Sequence, residues 1–468
     1  MLKLFKQHSI TPAQVITLGF AGIIFLGALL LCLPISTKDG MGANFWDALF
    51  TSTSATCVTG LVLHDTFSYW SFFGQLVILA LIQVGGMGVI TVAIVIFMMS
   101  GKRISLKQRV IMQESISISQ NGGILRFTGF ILRSMIVMEI IGAIMLSYRF
   151  IPRMGIGEGV WAGIFHSVSA FCNAGFDLMG QFKPYDSLCY YVSDPLVNSV
   201  IMLLIIIGGI GFLVWNDVFT HGLRFRHYRF QSKIVLLVTI SLIIFPTIFF
   251  FFYELSLPQW SGLQPSERFW AALFQAVTPR TAGFNTIDQT ALSPQSTLLT
   301  ILLMLIGGSP ASTAGGFKTT TLAVVILCAL SFMKRRNGVE VFNRRIAPNV
   351  IFNAATLVLF YTAAVLFASF FISIYDGLSI SACLFEASSA IATVGLSVGV
   401  SAEAPPSLPF DINCSDVSGT DRRSDLHLRG TAYLPRASFQ KACGQSGGRL
   451  KMCEPAYILI LTKHKNNF

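Results

Sequence analysis

Four short stretches of this chain place glycine, threonine and small residues where backbone carbonyls could do chemistry that is usually left to side chains. They read FWDALFTSTSATCVTGL, VWAGIFHSVSAFCNAGF, FWAALFQAVTPRTAGFN and SACLFEASSAIATVGLS. In each, a phenylalanine (Phe50, Phe165, Phe274, Phe385) precedes a glycine (Gly60, Gly175, Gly283, Gly395) by ten, ten, nine and ten residues, and the glycines are 115, 108 and 112 residues apart. Glycine takes positive φ and has no side chain, so successive carbonyls can point the same way at a narrow axis. Four such loops around one axis would present rings of oxygens, and such rings replace the water shell of a desolvated potassium ion. Thr56, Val58 and Gly60 in the first stretch and Thr393, Val394 and Gly395 in the fourth carry the pattern best. One copy alone is equally well a glycine that eases helix packing in lipid; the argument rests on four copies in a common position.

The elements that must hold these stretches are apolar. Of 468 residues, 53% are hydrophobic and only 12% charged, which excludes a water-soluble enzyme of this size and indicates a polytopic, all-α membrane protein. The hydrocarbon core is about 30 Å thick and needs roughly 20 apolar helical residues to cross it. Seven such runs lie near residues 15–35, 72–99, 128–150, 197–219, 233–253, 297–333 and 350–374. The four stretches sit between runs and are half-apolar, the length of a re-entrant half-helix and too short for a span. The unit helix, half-helix and loop, helix therefore repeats, with boundaries at residues 1–110, 111–225 and 226–340, an incomplete copy at 341–402 and an atypical tail at 403–468.

The formal charge is +11, but it lies in short loops and not on a basic face beside aromatics, so nucleic acid is not an expected partner. Basic residues cluster at Lys3 and Lys6, at GKRISLKQR, at LRFRHYRFQSK and at KRRNGVEVFNRR. Every cluster falls before a repeat or between two, which makes those loops cytoplasmic by the positive-inside rule. Two spans separate successive stretches, so all four open to the outer face. The N-terminal MLKLFKQHSITPAQ predicts no cleavable signal peptide. The nine cysteines show no CxxC or Cys/His ligand spacing, so neither a metal centre nor a disulfide framework is expected.

The pieces TSTSATCVTGL, SAFCNAGF, VTPRTAGFN and IGGSPASTAGGFKTTT resemble the Trk/Ktr/HKT superfamily of potassium transporters, and within it the membrane subunit of bacterial Ktr-type systems, over about residues 10–400. The resemblance implies four pseudo-symmetric membrane-pore-membrane units, one filter glycine per unit, a multi-pass location in a bacterial plasma membrane, a homodimer, and gating by a cytosolic nucleotide-binding ring. The filter residues it assigns are Thr56, Val58, Gly60, Asn173, Gly175, Thr281, Gly283, Thr393, Val394 and Gly395, with potassium held by backbone oxygens only. No cofactor is implied; potassium, with sodium as an alternative, is the transported ion.

Ile306 to Thr321, IGGSPASTAGGFKTTT, breaks the sixth run, since Pro310 removes a helix hydrogen bond and four glycines weaken the turns beside it. By the same resemblance it is an intramembrane gate below the filter, formed by Gly307, Gly308, Ser309, Pro310, Gly315, Gly316 and Lys318; a kinked helix is the plainer alternative. Lys318 is either a functional intramembrane charge or a side chain that snorkels to the cytoplasm. Asp47, at the start of the first half-helix, is expected to accept backbone N–H groups there. Glu386 and Arg280 are expected to brace their loops, and His166 to pack.

No GxSxG elbow supports a hydrolase, and GGMG (Gly85 to Gly88) and GGIG (Gly208 to Gly211) lie within apolar runs, which does not support dinucleotide binding. A sodium- or proton-coupled secondary transporter on the same scaffold stays open, although the repeats are parallel and not inverted. After about residue 402 the pattern stops: the eighth span expected to close the fourth unit is replaced by a polar tail that includes Cys414, Cys443 and Cys453, which suggests a shifted reading frame.

Overall fold

A computed structural model describes residues 12–88, 124–222, 224–335, 338–341 and 344–399. The continuation of the second apolar run beyond Gly88, the basic GKRISLKQR loop and the atypical tail lie outside them. The described residues form thirteen longer helices, here α1 Pro12–Leu31, α2 Phe45–Thr56, α3 Phe72–Met87, α4 Ile124–Met154, α5 Ile156–Phe171, α6 Pro195–Ile210, α7 Phe212–His221, α8 Phe230–Phe252, α9 Pro265–Val277, α10 Pro294–Leu305, α11 Thr319–Met333, α12 Pro348–Asp376 and α13 Ile380–Ala392. One two-residue ribbon, Glu340–Val341 paired antiparallel with Arg344–Arg345, lies in the basic loop before α12.

Three helices are long and apolar enough to cross a bilayer, Arg126–Met154, Phe230–Ser256 and Pro348–Tyr375. Their outward faces are paved with large apolar side chains such as Ile140, Ile144, Phe245, Phe252, Phe367 and Phe371, as a lipid-facing helix requires. The half-helices α2, α5, α9 and α13 are shorter than these, and each packs chiefly on the apolar helix before it, α1, α4, α8 and α12.

Local chemistry sets the ends. Asn44 caps α2 through Trp46 N–H, Ser379 caps α13 through Ala382 N–H, and Gln264 with Glu267 forms a capping box on α9. Such a cap stabilises a helix by about 1 kcal/mol. Asp47 does not cap: Asn44 takes that role, and Asp47 instead pairs with His64 Nε2 at 3.0 Å. Proline opens α6, α9, α10 and α12, where its missing N–H costs nothing.

Two of the long apolar runs are interrupted. The sixth divides into α10 and α11 around an irregular segment, as its glycines and proline predict. The fourth, expected as one continuous span, turns through 97° between α6 and α7. Gly211 at the corner has φ 95°, a conformation open to glycine and costly for other residues.

Candidate functional site

Each half-helix unwinds into a loop of the same backbone form. Two residues before each glycine stands a residue with positive φ: Val58 at 56°, Asn173 at 57°, Thr281 at 64° and Thr393 at 54°. The glycines follow at 87°, 73°, 79° and 91°. For β-branched Val and Thr this left-handed state costs roughly 1–3 kcal/mol each, so surrounding bonds must enforce it. Thr59, Ala174 and Val394 N–H groups donate back to Ser54, Ser169 and Ser389 carbonyls, each at 2.8 Å. The third loop is one residue tighter, with Ala282 N–H donating to Thr278 O at 3.0 Å, which accounts for its nine-residue Phe-to-Gly spacing. Ser54 Oγ, Ser169 Oγ and Thr278 Oγ1 then donate to the carbonyls just past the glycines, Leu61 and Phe176 at 2.7 Å and Phe284 at 2.6 Å. In the fourth loop the sense reverses, and Ser389 Oγ accepts from Gly395 N–H at 3.1 Å.

The four glycines meet in a closed ring. A Cβ on Gly60 would lie 2.5 Å from Ala174 O, on Gly175 2.8 Å from Ala282 O, on Gly283 2.6 Å from Val394 O, and on Gly395 2.7 Å from Thr59 O. Each glycine thus faces the carbonyl of the residue before the next glycine in chain order, and the last faces the first. No side chain larger than hydrogen fits without moving backbone. Among the described residues no group of three or more His, Cys, Asp or Glu side chains is placed to hold a metal ion.

Against Asn173 and Thr393, the residues two before the second and fourth glycines, lies the segment between α10 and α11. Gly307 N–H donates to Phe317 O and Phe317 N–H to Leu305 O, at 3.0 and 3.2 Å, which folds the segment into a loop. The bend at Gly211 leaves the carbonyls at the end of α6 without helical partners. The loop supplies them: Ser309 N–H donates to Gly209 O at 2.9 Å and Thr313 N–H to Gly208 O at 3.3 Å, while Phe212 N–H donates to Ala311 O at 2.7 Å. Thr313 Oγ1 reaches Phe171 O at 3.1 Å and Asn173 Oδ1 at 3.2 Å, on the second loop itself. Gly315 packs so closely on Thr393 that a Cβ would collide with the threonine hydroxyl. Lys318 Nζ turns back onto the loop and donates to Ala314 O at 2.8 Å and Gly315 O at 3.4 Å.

Thr313, Gly208, Gly209 and Gly211 are absent from the sequence-derived site. A signal for the glycines existed: Gly85-Gly86, Gly208-Gly209 and Gly307-Gly308 each fall inside the apolar run that follows a half-helix. A Cβ on Gly85 would collide with Thr56 O, and one on Gly208 with Phe171 O, so the first two pairs admit the end of their own half-helix, while Gly307 packs on Gly315 O.

The residues after the four phenylalanines, Thr51, His166, Gln275 and Glu386, are all buried. Three of them brace outer loops. His166 Nδ1 pairs with Ala162 O at 2.7 Å and Nε2 accepts from Leu178 N–H at 3.3 Å. Gln275 and Gln289 exchange amide bonds at 2.9 and 3.1 Å, and Glu386 accepts from Val398 N–H at 3.0 Å and from Ser397 Oγ. Arg280 is buried, with Nη2 3.4 Å from Thr239 Oγ1. In the loop after Gly175, burial pushes the Asp177 carboxyl up to about 7, although Met179 N–H donates to it at 2.9 Å; Asp65 and Asp186 add to the rise and Ser187 opposes it.

A family model described as TrkH, cation transport protein, matches residues 24–410. The chain is 39% identical over 402 residues to the Ktr system potassium uptake protein B of Bacillus subtilis, covering 86% of this chain and 88% of that protein. It is 37% identical over 407 residues to the potassium/sodium uptake protein NtpJ of Enterococcus hirae, with the same coverage of 86% and 88%. Its fold matches the crystal structure of the potassium transporter TrkH from Vibrio parahaemolyticus with a TM-score of 0.65 at 18% identity, over 84% of this chain and 78% of that one.

Proposed function

The chain belongs to the TrkH family of cation transport proteins, and from that premise we propose that it takes up potassium across the plasma membrane through a filter made by its four glycine loops. One observation carries the reading: Gly60, Gly175, Gly283 and Gly395 each face the carbonyl before the next glycine, in a cycle that closes. Carbonyl dipoles held at fixed spacing around one axis offer a dehydrated cation the oxygens it loses from water. The α10–α11 loop, from Gly307 to Lys318, acts as a gate below the ring. The chain catalyses no chemical reaction. The repeat boundaries at 110, 225 and 340, a homodimeric assembly and a cytosolic nucleotide-binding ring as regulator belong to the same proposal.

Supporting the gate reading is the way the loop's backbone groups are taken up by α6 and by the second glycine loop, since non-helical backbone at membrane depth persists only where protein or water satisfies it. The test is potassium uptake in bacteria lacking their own uptake systems. Rescue of growth at low potassium is the expected result, and no rescue by a membrane-inserted chain would refute the function. Sodium is proposed as a second ion because the Enterococcus hirae relative is a potassium/sodium uptake protein. Potassium flux that is identical with and without sodium would remove it.

A further inference from the structure

Glu139 lies within α4, the spanning helix that precedes the second half-helix, and is only 8% exposed. Both its carboxylate oxygens accept from one donor, Gln83 Nε2, at 3.1 and 3.0 Å. Gln83 belongs to α3, and its Oε1 faces Cys172 Sγ at 3.8 Å, three residues before Gly175. The backbone carbonyl of Glu139 accepts from Ser167 Oγ at 2.7 Å, on the half-helix that leads into the same loop. A carboxyl at membrane depth thus sits directly behind the second glycine loop, where the first and second repeats join.

Packing does not explain the carboxyl. Ser52 Oγ donates to Ile24 O at 2.7 Å as Ser167 Oγ does to Glu139 O, and both pairs of positions differ by 115, the spacing of Gly60 and Gly175. The first repeat therefore places isoleucine, 3% exposed, where the second places glutamate. Nor is there a neutralising partner: among the described residues no lysine, arginine or histidine lies within ion-pair distance of Glu139. An ionised group in the membrane interior is costly and marks ion pathways when it occurs.

We infer that Glu139 is a fixed counter-charge for the cation in the glycine ring, a positioning residue oriented by Gln83, and that it raises the affinity of the second quarter of the filter for potassium. The inference rests on the uptake reading above. A buried carboxyl without a charged partner either holds a proton or is ionised opposite a cation, and an ion in the neighbouring loop favours the ionised form; the attraction is mutual, so removing the carboxylate weakens ion binding. A unit charge near the ion, acting through a medium of intermediate dielectric, changes affinity by about three- to tenfold after screening.

The test uses the purified full-length chain in detergent and reads its melting temperature as potassium replaces choline at constant ionic strength. Potassium should stabilise the parent protein, and Glu139→Gln should raise the potassium concentration at half-effect by about three- to tenfold, with the melting temperature in potassium-free buffer within a few degrees of the parent. Glu139→Met, which removes the charge without leaving a buried amide, should shift it equally, and Glu139→Asp should stay near the parent. Unchanged midpoints in Gln and Met variants would overturn the inference while leaving the uptake reading intact, as would failure of both variants to fold, which would make the carboxyl a folding determinant. Absence of any potassium effect on the parent would count against the uptake reading itself.

Discussion

Gly395 faces the carbonyl oxygen of Thr59, although 335 residues of chain separate the two glycines that their loops present. A Cβ on Gly395 would come within 2.7 Å of that oxygen and 3.0 Å of Gly60 Cα. This contact closes the ring, because it joins the last glycine loop to the first. The reciprocal position is as tight: Gly60 has φ 87°, and a Cβ there would lie 3.2 Å from Gly395 Cα and 2.5 Å from Ala174 O.

Gly60→Ser therefore forces both a strained backbone and a displaced carbonyl. A misfit of 1–2 kcal/mol in the oxygen spacing corresponds to a factor of about 5–30 in relative binding. Potassium preference over sodium should fall by that order, measured as sodium competition against rubidium or potassium uptake at matched surface expression. Unchanged competition would remove Gly60 from the filter.

The loop between α10 and α11 is tied to the second glycine loop by Thr313. Thr313→Val keeps the side chain's shape but removes the hydroxyl that reaches Phe171 O and Asn173 Oδ1. With a net worth of about 1 kcal/mol per buried bond, the closed position should lose enough to raise unregulated flux roughly fivefold. Deleting Gly307 to Gly315 should raise it further and weaken its dependence on the cytosolic partner. A fall in flux at constant expression would mean that the segment supports the fold and does not gate.

How far the site could be read from sequence depends on what kind of feature each part is. The glycine loops were legible because a repeated Phe-to-Gly spacing survives in letters, and the one irregular spacing has a local cause in Thr278, whose carbonyl takes the bond one residue early. The left-handed Val58, Thr281 and Thr393 were not legible as such, since β-branched residues argue against positive φ and only the surrounding bonds impose it. The corner at Gly211 was hidden because GGIG inside an apolar run is also what close helix packing looks like. Glu139 was missed for a simpler reason: one acid in a long apolar run hardly lowers its average hydropathy. Asp47 reads as a helix-terminus acceptor because the first turn of a helix suits any carboxylate, and nothing in the sequence shows that Asn44 caps and His64 reaches across.

Outside the spans, in the loop after Gly175, Asp177 makes stability depend on pH. Its carboxyl titrates near 7 in the folded protein against 3.8 in the open chain. Between those values the folded state binds more protons than the unfolded state, so stability falls as pH rises through that window. Asp177→Asn keeps the acceptor for Met179 N–H and removes the titration. Relative to the parent, the variant should gain melting temperature progressively as pH rises from 4 to 7, with little gain at pH 4, a partial gain at pH 5 and the full gain of a few degrees at pH 8. A parent-minus-variant difference that stays flat from pH 5 to 8 would show that Asp177 titrates normally.

His166 joins the second half-helix to the loop that follows its glycine. The ring donates to Ala162 O through Nδ1 and accepts Leu178 N–H through Nε2, and it is fully buried against Phe150, Phe165 and Phe284. His166→Phe fills the same aromatic space but leaves the Leu178 N–H without its acceptor, at a cost of about 1–3 kcal/mol. The variant should melt several degrees below the parent in detergent. His166→Gln, which can still accept that N–H, should recover part of the loss. A phenylalanine variant as stable as the parent would mean that the ring only fills space, and that the loop after Gly175 is held by its other bonds, among them Ser169 Oγ to Phe176 O.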